Sequence, residues 1–103
     1  METILARAFA DPELQVAQAL AMERATRHTQ EVLRHYAARS DTFGGRYVCA
    51  DTMKELLPGY AQSPASRRAL HDAVHNSAAV LAAEQFQRLV ARGATSESNV
   101  AVS

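Results

Sequence analysis

Apolar residues recur at three- and four-residue intervals from Leu14 onwards, and this spacing predicts an amphipathic helix that runs to about Arg39. Asp11 stands where an N-cap residue is favoured, and Pro12 follows it at the first helical position. The apolar face becomes thin between residues 26 and 31, where the side chains are polar. We therefore expect a long helix from Asp11 to Arg39 that is partly solvated or binds a partner.

A second and more regular apolar stripe follows Ser63 and Pro64, which form another helix-start signal. Gly93 follows the last residues of this stripe and suits the left-handed position after a helix end. The pattern predicts a helix from Pro64 to Arg92. Its apolar residues are Leu70, Val74, Ala78, Leu81, Ala82, Phe86, Leu89 and Val90.

Shorter elements are predicted between and after the two helices. Residues 40–45 have the composition of a loop and end in two glycines, and Tyr47 to Ala50 form a short strand candidate. A short helix from Thr52 to Leu57 follows and is stopped by a Pro-Gly pair. The run from Asn99 to Val102 is β-branched and reads as the opening of a second strand.

The predicted fold class is therefore mostly α, with two long helices packed as an antiparallel pair and a short strand or small sheet. Residues 1–40 would form an N-terminal helical segment, and residues 41–103 a second region. Because a strand needs sheet neighbours to be stable, the run at the end of the chain leads us to expect a truncated domain or a fragment.

Composition narrows the class of function. The 103 residues are 48% hydrophobic and 21% charged with a formal net charge of +0, so no overall charge attracts the chain to nucleic acid or membrane. No apolar run approaches the roughly 20 residues of a membrane span. The one cysteine, Cys49, allows no internal disulfide and no cysteine-based metal cluster. These features predict a cytoplasmic protein that does not bind membranes or nucleic acid.

Asp51 is the first candidate for chemistry, because it follows a predicted strand. Ligands of open α/β sheets bind beyond the carboxyl ends of the strands. An aspartate there accepts a proton from, or orients, a hydroxyl that attacks a phosphoryl group. The alternative is that Asp51 caps the helix from Thr52 to Leu57, and the two interpretations are compatible.

Four further polar residues are candidates on the second long helix. His71 and His75 are four apart and share one face, as metal ligands do in H-E-x-x-H sites, but the glutamate of that motif is missing. His75 and Asn76 are expected to face a cleft, and His71 to lie on a solvated turn. Glu84 is either on the polar surface of the helix or in a cleft shared with Asp51.

Arg67 and Arg68, near the start of the same helix, could bind phosphate or nucleic acid. The more ordinary interpretation is a solvated helix face. No aromatic residues are interleaved with them, and the chain has no basic excess.

The second region resembles the zeta-toxin family of kinases over about residues 44 to 103. The matching residues are Tyr47-Val48-Cys49-Ala50-Asp51, Lys54, Leu56-Leu57-Pro58-Gly59-Tyr60, His75-Asn76-Ser77-Ala78 and Glu84. The resemblance implies a P-loop α/β kinase fold, Mg²⁺ and ATP, and phosphorylation of a nucleotide sugar such as UDP-N-acetylglucosamine. It also implies a toxin–antitoxin setting.

The resemblance also implies roles for single residues. Asp51 would be the catalytic base or orienter of the sugar hydroxyl, and Glu84 would help to hold the substrate. Lys54, His75 and Asn76 lie in the matching motifs and are predicted as further substrate-binding residues. No residue is assigned to a metal, and Mg-ATP is implied by the family only.

The chain departs from the family where the ATP-binding loop should be. It has no G-x-x-x-x-G-K-[ST] motif, and the helix from Asp11 to Arg39 stands in that place. Either this segment has replaced the loop, or the loop lies beyond the strand from Asn99 to Val102. We expect a degenerate or truncated kinase that is inactive alone. The alternative is a small helical module, antitoxin-like or chaperone-like, that binds a cognate protein.

Overall fold

The structure is a computed structural model that describes residues 1–93 and the backbone of residues 101–102. The described part is mostly helical, as the sequence predicts. Its α-helices are α1 (Pro12–Arg27), α2 (Thr29–Ala38), α3 (Ala50–Lys54) and α4 (Pro64–Ala91). Two short strands, β1 (Tyr47–Val48) and β2 (Ala101–Val102), and 3₁₀ turns at Ser40–Thr42 and Tyr60–Gln62 complete it. None of the helices within residues 1–93 is long and apolar enough to span a membrane.

The first predicted helix is wrong in one respect, because the chain forms two helices where the sequence predicts one. The break is at His28, whose backbone has φ −123° and ψ 31°. Just beyond it, the hydroxyl of Thr29 donates to the carbonyl oxygen of Ala25, a local contact that bends helices. The break falls in the polar stretch 26–31, where no apolar face holds the helix straight. Asp11 does cap α1, since its carboxylate accepts from the backbone N–H of Glu13 at 2.9 Å.

Helix α4 is confirmed almost to the residue. The hydroxyl of Ser63 accepts from the backbone N–H of Ser66, and the Ser66 hydroxyl accepts from the N–H of Ser63, which completes a capping box. The helix ends at Ala91, one residue before the predicted end. Gly93 has φ +88°, as expected of a glycine after a helix end.

The two strands form a parallel pair, with Tyr47 opposite Ala101 and Val48 opposite Val102. The predicted strand from Tyr47 to Ala50 is too long, because Cys49 is already the N-cap of α3 and Ala50 its first residue. The predicted helix from Thr52 to Leu57 therefore begins earlier, at Ala50, and ends earlier, at Lys54. Asn99 and Val100, the first half of the second predicted strand, lie outside the described residues.

Tyr36 on α2 fixes the position of β1. Its side chain is fully buried, and its hydroxyl donates to the carbonyl oxygen of Tyr47 and accepts from the backbone N–H of Cys49 at 3.0 Å. Burial raises the pKa of Tyr36, so this hydroxyl keeps its proton. One side chain thereby satisfies a polar group on either side of Val48 and aligns the chain for the turn into α3.

One hydrophobic core joins residues from both predicted regions. Helix α1 packs against α4, and α3 packs against α4 further along it. The buried members are Ile4, Ala21, Ala25, Val32, Leu33, Tyr36, Met53, Leu57, Tyr60, Val74, Ala78 and Leu81. The described residues of the two regions, 1–40 and 41–93, are thus packed into one unit.

Residues before α1 have no helical structure and are held along the helices by hydrogen bonds. The side-chain amide of Gln18 accepts from the backbone N–H of Arg7 and donates to its carbonyl oxygen, both at 2.9 Å. Asn76 donates to the carbonyl oxygen of Leu5 at 2.8 Å, and Ile4 enters the core. This segment covers part of the surface of α1 and α4.

Candidate functional site

Asp51 lies in the first turn of α3, shortly after the carboxyl end of β1. Its side chain is 77% exposed. The N-cap position belongs to Cys49, so the interpretation of Asp51 as a helix cap is wrong. The carboxylate is therefore available for other contacts, and the structure shows one short hydrogen bond to it.

That contact is with Lys54, the chain's single lysine, whose side chain is completely buried. Its Nζ lies 2.9 Å from Asp51 Oδ1 and 2.8 Å from His71 Nε2. Because an ammonium only donates, Nε2 of His71 must act as the acceptor here, with the proton of the ring on Nδ1. Nδ1 in turn lies 3.4 Å from Asp72 Oδ1. Lys54 thus ties α3 to α4 through a buried charge.

The contact with Lys54 changes the chemistry of Asp51. The hydrogen bond from Lys54, and then its charge, lower the pKa of the Asp51 carboxyl below the ordinary range. Asp51 stays ionised near neutral pH, and its Oδ2 accepts no hydrogen bond from a described residue. A lowered pKa makes a weak base. The arrangement suits a carboxylate that orients a hydroxyl more than one that removes its proton.

Asp51 faces an open cavity of about 370 Å³, which we call the Asp51 cavity. Its lining residues are Arg39, Asp41, Asp51, Thr52, Glu55, Tyr60 and His71. Two of its carboxylates are already engaged: Asp41 is 2.8 Å from Arg39, and Glu55 is 3.0 Å from Arg67. The arginine partners lower the pKa of both carboxyls.

Glu84 lies in a different place from Asp51. It lines a second cavity of about 410 Å³, together with Arg88, Met1 and residues 26–31. Its Oε2 accepts from Nε of Arg88 at 2.8 Å. Glu84 and His71 are both on α4, and at about 1.5 Å per residue they are about 20 Å apart along the helix axis. The structure therefore does not bring Glu84 to the Asp51 cavity.

The other predicted substrate-binding residues also have protein contacts. Lys54 has no exposed surface, so it contacts Asp51 and His71. Asn76 holds the N-terminal segment through Leu5. The ring of His75 stacks on that of His71 with 5.9 Å between centroids, and His75 is exposed without lining the Asp51 cavity. Within the described residues, no three His, Cys, Asp or Glu side chains come together as a metal site would need.

Sequence reasoning missed the residues that complete the site. His71 is half-exposed, in keeping with the expected solvated turn, but the sequence does not predict its contact with Lys54, nor the positions of Tyr60 and Glu55 in the cavity wall. The link between Lys54 and His71 joins residues 17 apart in sequence, which local spacing does not encode. The sequence does hold one indication of this contact. Lys54 stands among apolar residues such as Met53 and Leu57 in a short helix, and a lysine in that position is either exposed to solvent or paired with an acceptor in the core.

No family model matches the chain, and no curated protein matches its sequence. The resemblance to zeta-toxin kinases therefore stays a prediction from the motifs between Tyr47 and Glu84.

The residues present do not fit the phosphates of ATP in the way of a P-loop kinase. Such a loop needs a glycine-rich backbone and a lysine that reaches the phosphates. The chain's single lysine, Lys54, is buried against Asp51 and His71, and the chain has four glycines. We derive no step of a reaction through ATP or Mg²⁺.

Proposed function

We propose that the chain is a degenerate segment of a zeta-toxin-like kinase, which binds a nucleotide sugar such as UDP-N-acetylglucosamine without phosphorylating it alone. The observation that carries the proposal is the ionised carboxylate of Asp51, which is exposed at the Asp51 cavity and held from behind by buried Lys54. A fixed carboxylate with a free oxygen accepts a hydrogen bond from a sugar hydroxyl.

The position of Asp51 in the fold supports the same proposal. Strands β1 and β2 are parallel, with α3 and α4 between them in sequence, which is the order of a βαβ unit. Asp51 follows the carboxyl end of the first strand, where such units place ligand contacts. The resemblance assigns the sugar hydroxyl to this same residue.

Phosphoryl transfer itself is not part of the proposed activity. Transfer depends mainly on positioning the phosphates and on a metal that neutralises their charge. A carboxylate that orients the attacking hydroxyl neither positions the phosphates nor neutralises their charge. The chain is therefore a half-site for the sugar, and a kinase reaction needs phosphate-binding residues from another source.

Isothermal titration calorimetry of the purified chain with UDP-N-acetylglucosamine, and separately with Mg-ATP, tests the proposal. We expect heat of binding for the nucleotide sugar and none for Mg-ATP. Asp51→Asn keeps the shape of the side chain and removes its charge, so we expect at least a fivefold weaker affinity, on the scale of one hydrogen bond to a charged group.

Glu84→Gln is the matched control, because it removes a carboxylate at the second cavity. We expect it to leave the affinity unchanged within a factor of about two, since it alters no residue at Asp51. Absence of any binding of the nucleotide sugar would overturn the proposal. If Glu84→Gln lowered the affinity for the nucleotide sugar as much as Asp51→Asn, the binding site would not be specific to the Asp51 cavity.

A second candidate function is a protein-interaction module of the antitoxin or chaperone type. One observation favours it: Val16 and Leu20, four apart on α1, are 59% and 49% exposed. Two large apolar side chains on one helix face are suited to a helix-in-groove contact. The test is co-expression with a candidate toxin, followed by size-exclusion chromatography. Complex formation that survives Val16→Asp combined with Leu20→Asp would exclude this face.

A further inference from the structure

A third cavity adjoins the Asp51 cavity on the side of α4. It has a volume of about 450 Å³, is lined by Tyr60, Arg67, Arg68, His71 and Asp72, and is called here the arginine cavity. Tyr60 and His71 line both cavities, so the two meet at these side chains. A ligand at Asp51 that extends past His71 therefore enters the arginine cavity.

The two arginines of this cavity are in different states. Arg67 makes a two-pronged contact with Glu55, with both distances at 3.0 Å, and its charge is balanced. Arg68 is exposed and makes no ion pair with a described residue. The nearest acidic side chain in sequence is Asp72, whose Oδ1 lies by His71 Nδ1. Arg68 thus keeps a charge that the protein does not neutralise, beside a cavity of ligand size.

Tyr60 supplies a second donor at the same place. Its residue is 7% exposed and lines both cavities, and its hydroxyl makes no hydrogen bond to a described residue. Among the described residues the enclosed side-chain polar atom without a partner is Ser77 Oγ, so the Tyr60 hydroxyl is accessible from the cavities. Burial also raises the pKa of Tyr60, so the hydroxyl keeps the proton that it needs as a donor. An unused donor therefore stands where the two cavities meet.

We propose that Tyr60 and Arg68 form an anion subsite that receives a phosphate group of the same ligand whose hydroxyl contacts Asp51. This inference rests on the proposed function for the hydroxyl end and adds the residues that recognise the charged end. Arginine and tyrosine donors suit phosphate oxygens, and neighbouring Arg67 adds positive charge at the wall. A nucleotide sugar carries both groups in one molecule, a diphosphate and a sugar hydroxyl.

The test is a titration of the ¹⁵N-labelled chain with pyrophosphate, UDP, UDP-N-acetylglucosamine and N-acetylglucosamine, followed by amide chemical shifts. We expect pyrophosphate and UDP to shift amides near Arg68 and Tyr60, and N-acetylglucosamine not to do so. Arg68→Gln should weaken pyrophosphate binding by about tenfold, and Tyr60→Phe by about threefold, as loss of one donor to an anion implies.

Arg92→Gln is the matched control, since it removes the same charge from an exposed position at the far end of α4. We expect it to change pyrophosphate affinity by less than about twofold, because exposed charges that far apart are screened. Equal losses in Arg92→Gln and Arg68→Gln would show attraction by charge alone and overturn the subsite. So would the absence of shifts with every phosphorylated probe.

The same titrations distinguish a failure of this subsite from a failure of the proposed sugar site. If pyrophosphate binding depends on Arg68 and Tyr60, but UDP-N-acetylglucosamine binds no tighter than UDP and ignores Asp51→Asn, the subsite stands and the sugar site fails. If nucleotide-sugar binding needs Asp51 but is unchanged in Arg68→Gln, the sugar site stands and the subsite fails.

Discussion

Asp51 and Glu84 are both assigned to the substrate by the same resemblance, yet the structure builds their surroundings differently. Asp51 is 77% exposed and its partner Lys54 is completely buried. Glu84 is 14% exposed, and its partner Arg88 is one turn further on the same helix. The first pair lies within α3 and is tied to α4 through the contact of Lys54 with His71, and it leaves Asp51 Oδ2 without a hydrogen bond from a described residue. In the second pair both carboxylate oxygens of Glu84 are engaged, since Oε2 accepts from Arg88 and Oε1 lies 3.5 Å from the N-terminal nitrogen of Met1.

The two ion pairs should also differ in how much they contribute to the stability of the fold. A charge that is fully buried depends on its partners, because without them the cost of removing it from water is not offset. An ion pair between neighbouring helical turns to which water still has access, such as Glu84 with Arg88, contributes less, since water can replace either partner. The two ends of α4 should therefore respond differently to the same kind of substitution.

The largest expected effect comes from Lys54→Ala. The substitution removes a fully buried side chain and leaves a cavity where Lys54 meets His71 of α4, so we expect a loss of about 3 kcal/mol in the free energy of unfolding. Lys54→Met keeps most of the volume and should cost less than about 1 kcal/mol, because replacing a buried charge by an apolar group is often nearly neutral. Urea denaturation followed by circular dichroism measures both. Equal losses in the two variants would contradict a packing role.

Asp51→Ala should have the next largest effect. It leaves the buried ammonium of Lys54 with His71 as its remaining acceptor, and we expect a loss of about 1–2 kcal/mol. Asp51→Asn retains an oxygen that accepts from Lys54 and should recover about half of this loss. The same denaturation assay applies. A fully stable Asp51→Ala variant would mean that the buried charge of Lys54 does not depend on Asp51.

The pH dependence of stability gives a smaller effect with a defined sign. The folded-state pKa of Asp51 is lowered by Lys54, so its contribution is present above the ordinary aspartate pKa of about 4 and is lost as pH falls through the folded value. We expect stability to decline below about pH 4, and less steeply in Asp51→Asn. Lys54→Met removes the cause of the shift and should flatten the curve to a similar extent. Denaturation midpoints measured from about pH 2.5 to about pH 6, which covers the titration range of carboxyl groups, provide the measurement.

The regular parts of the fold could be predicted because their signals are local. The cap at Ser63, the stripe along α4 and the glycine at position 93 together define one helix. The break at His28 could not be predicted in the same way. It depends on how α1 and α2 pack against the rest of the core, which a thin apolar face leaves undetermined.

The candidate site also combines features that neighbouring residues determine with features that long-range packing determines. Asp51 could be predicted, because a carboxylate after a strand is a feature of neighbouring residues. Its surroundings could not, since Lys54 meets His71 across 17 residues and the arginine cavity forms only when Tyr60 packs under α4. The helix pattern also left open whether Glu84 lies on the polar surface or in a cleft shared with Asp51, and helix geometry separates the two residues.

The smallest expected effect is at the other carboxylate. Glu84→Ala breaks a pair between neighbouring helical turns, and we expect a loss of about 0.5 kcal/mol, measured by the same urea denaturation. Arg88→Ala should cost more, because Arg88 also donates to the side chain of Gln30 on α2 at 2.6 Å. A double-mutant cycle of the two substitutions isolates their coupling. A coupling above about 1.5 kcal/mol would place Glu84 among the buried, structure-holding charges and remove the contrast with Asp51.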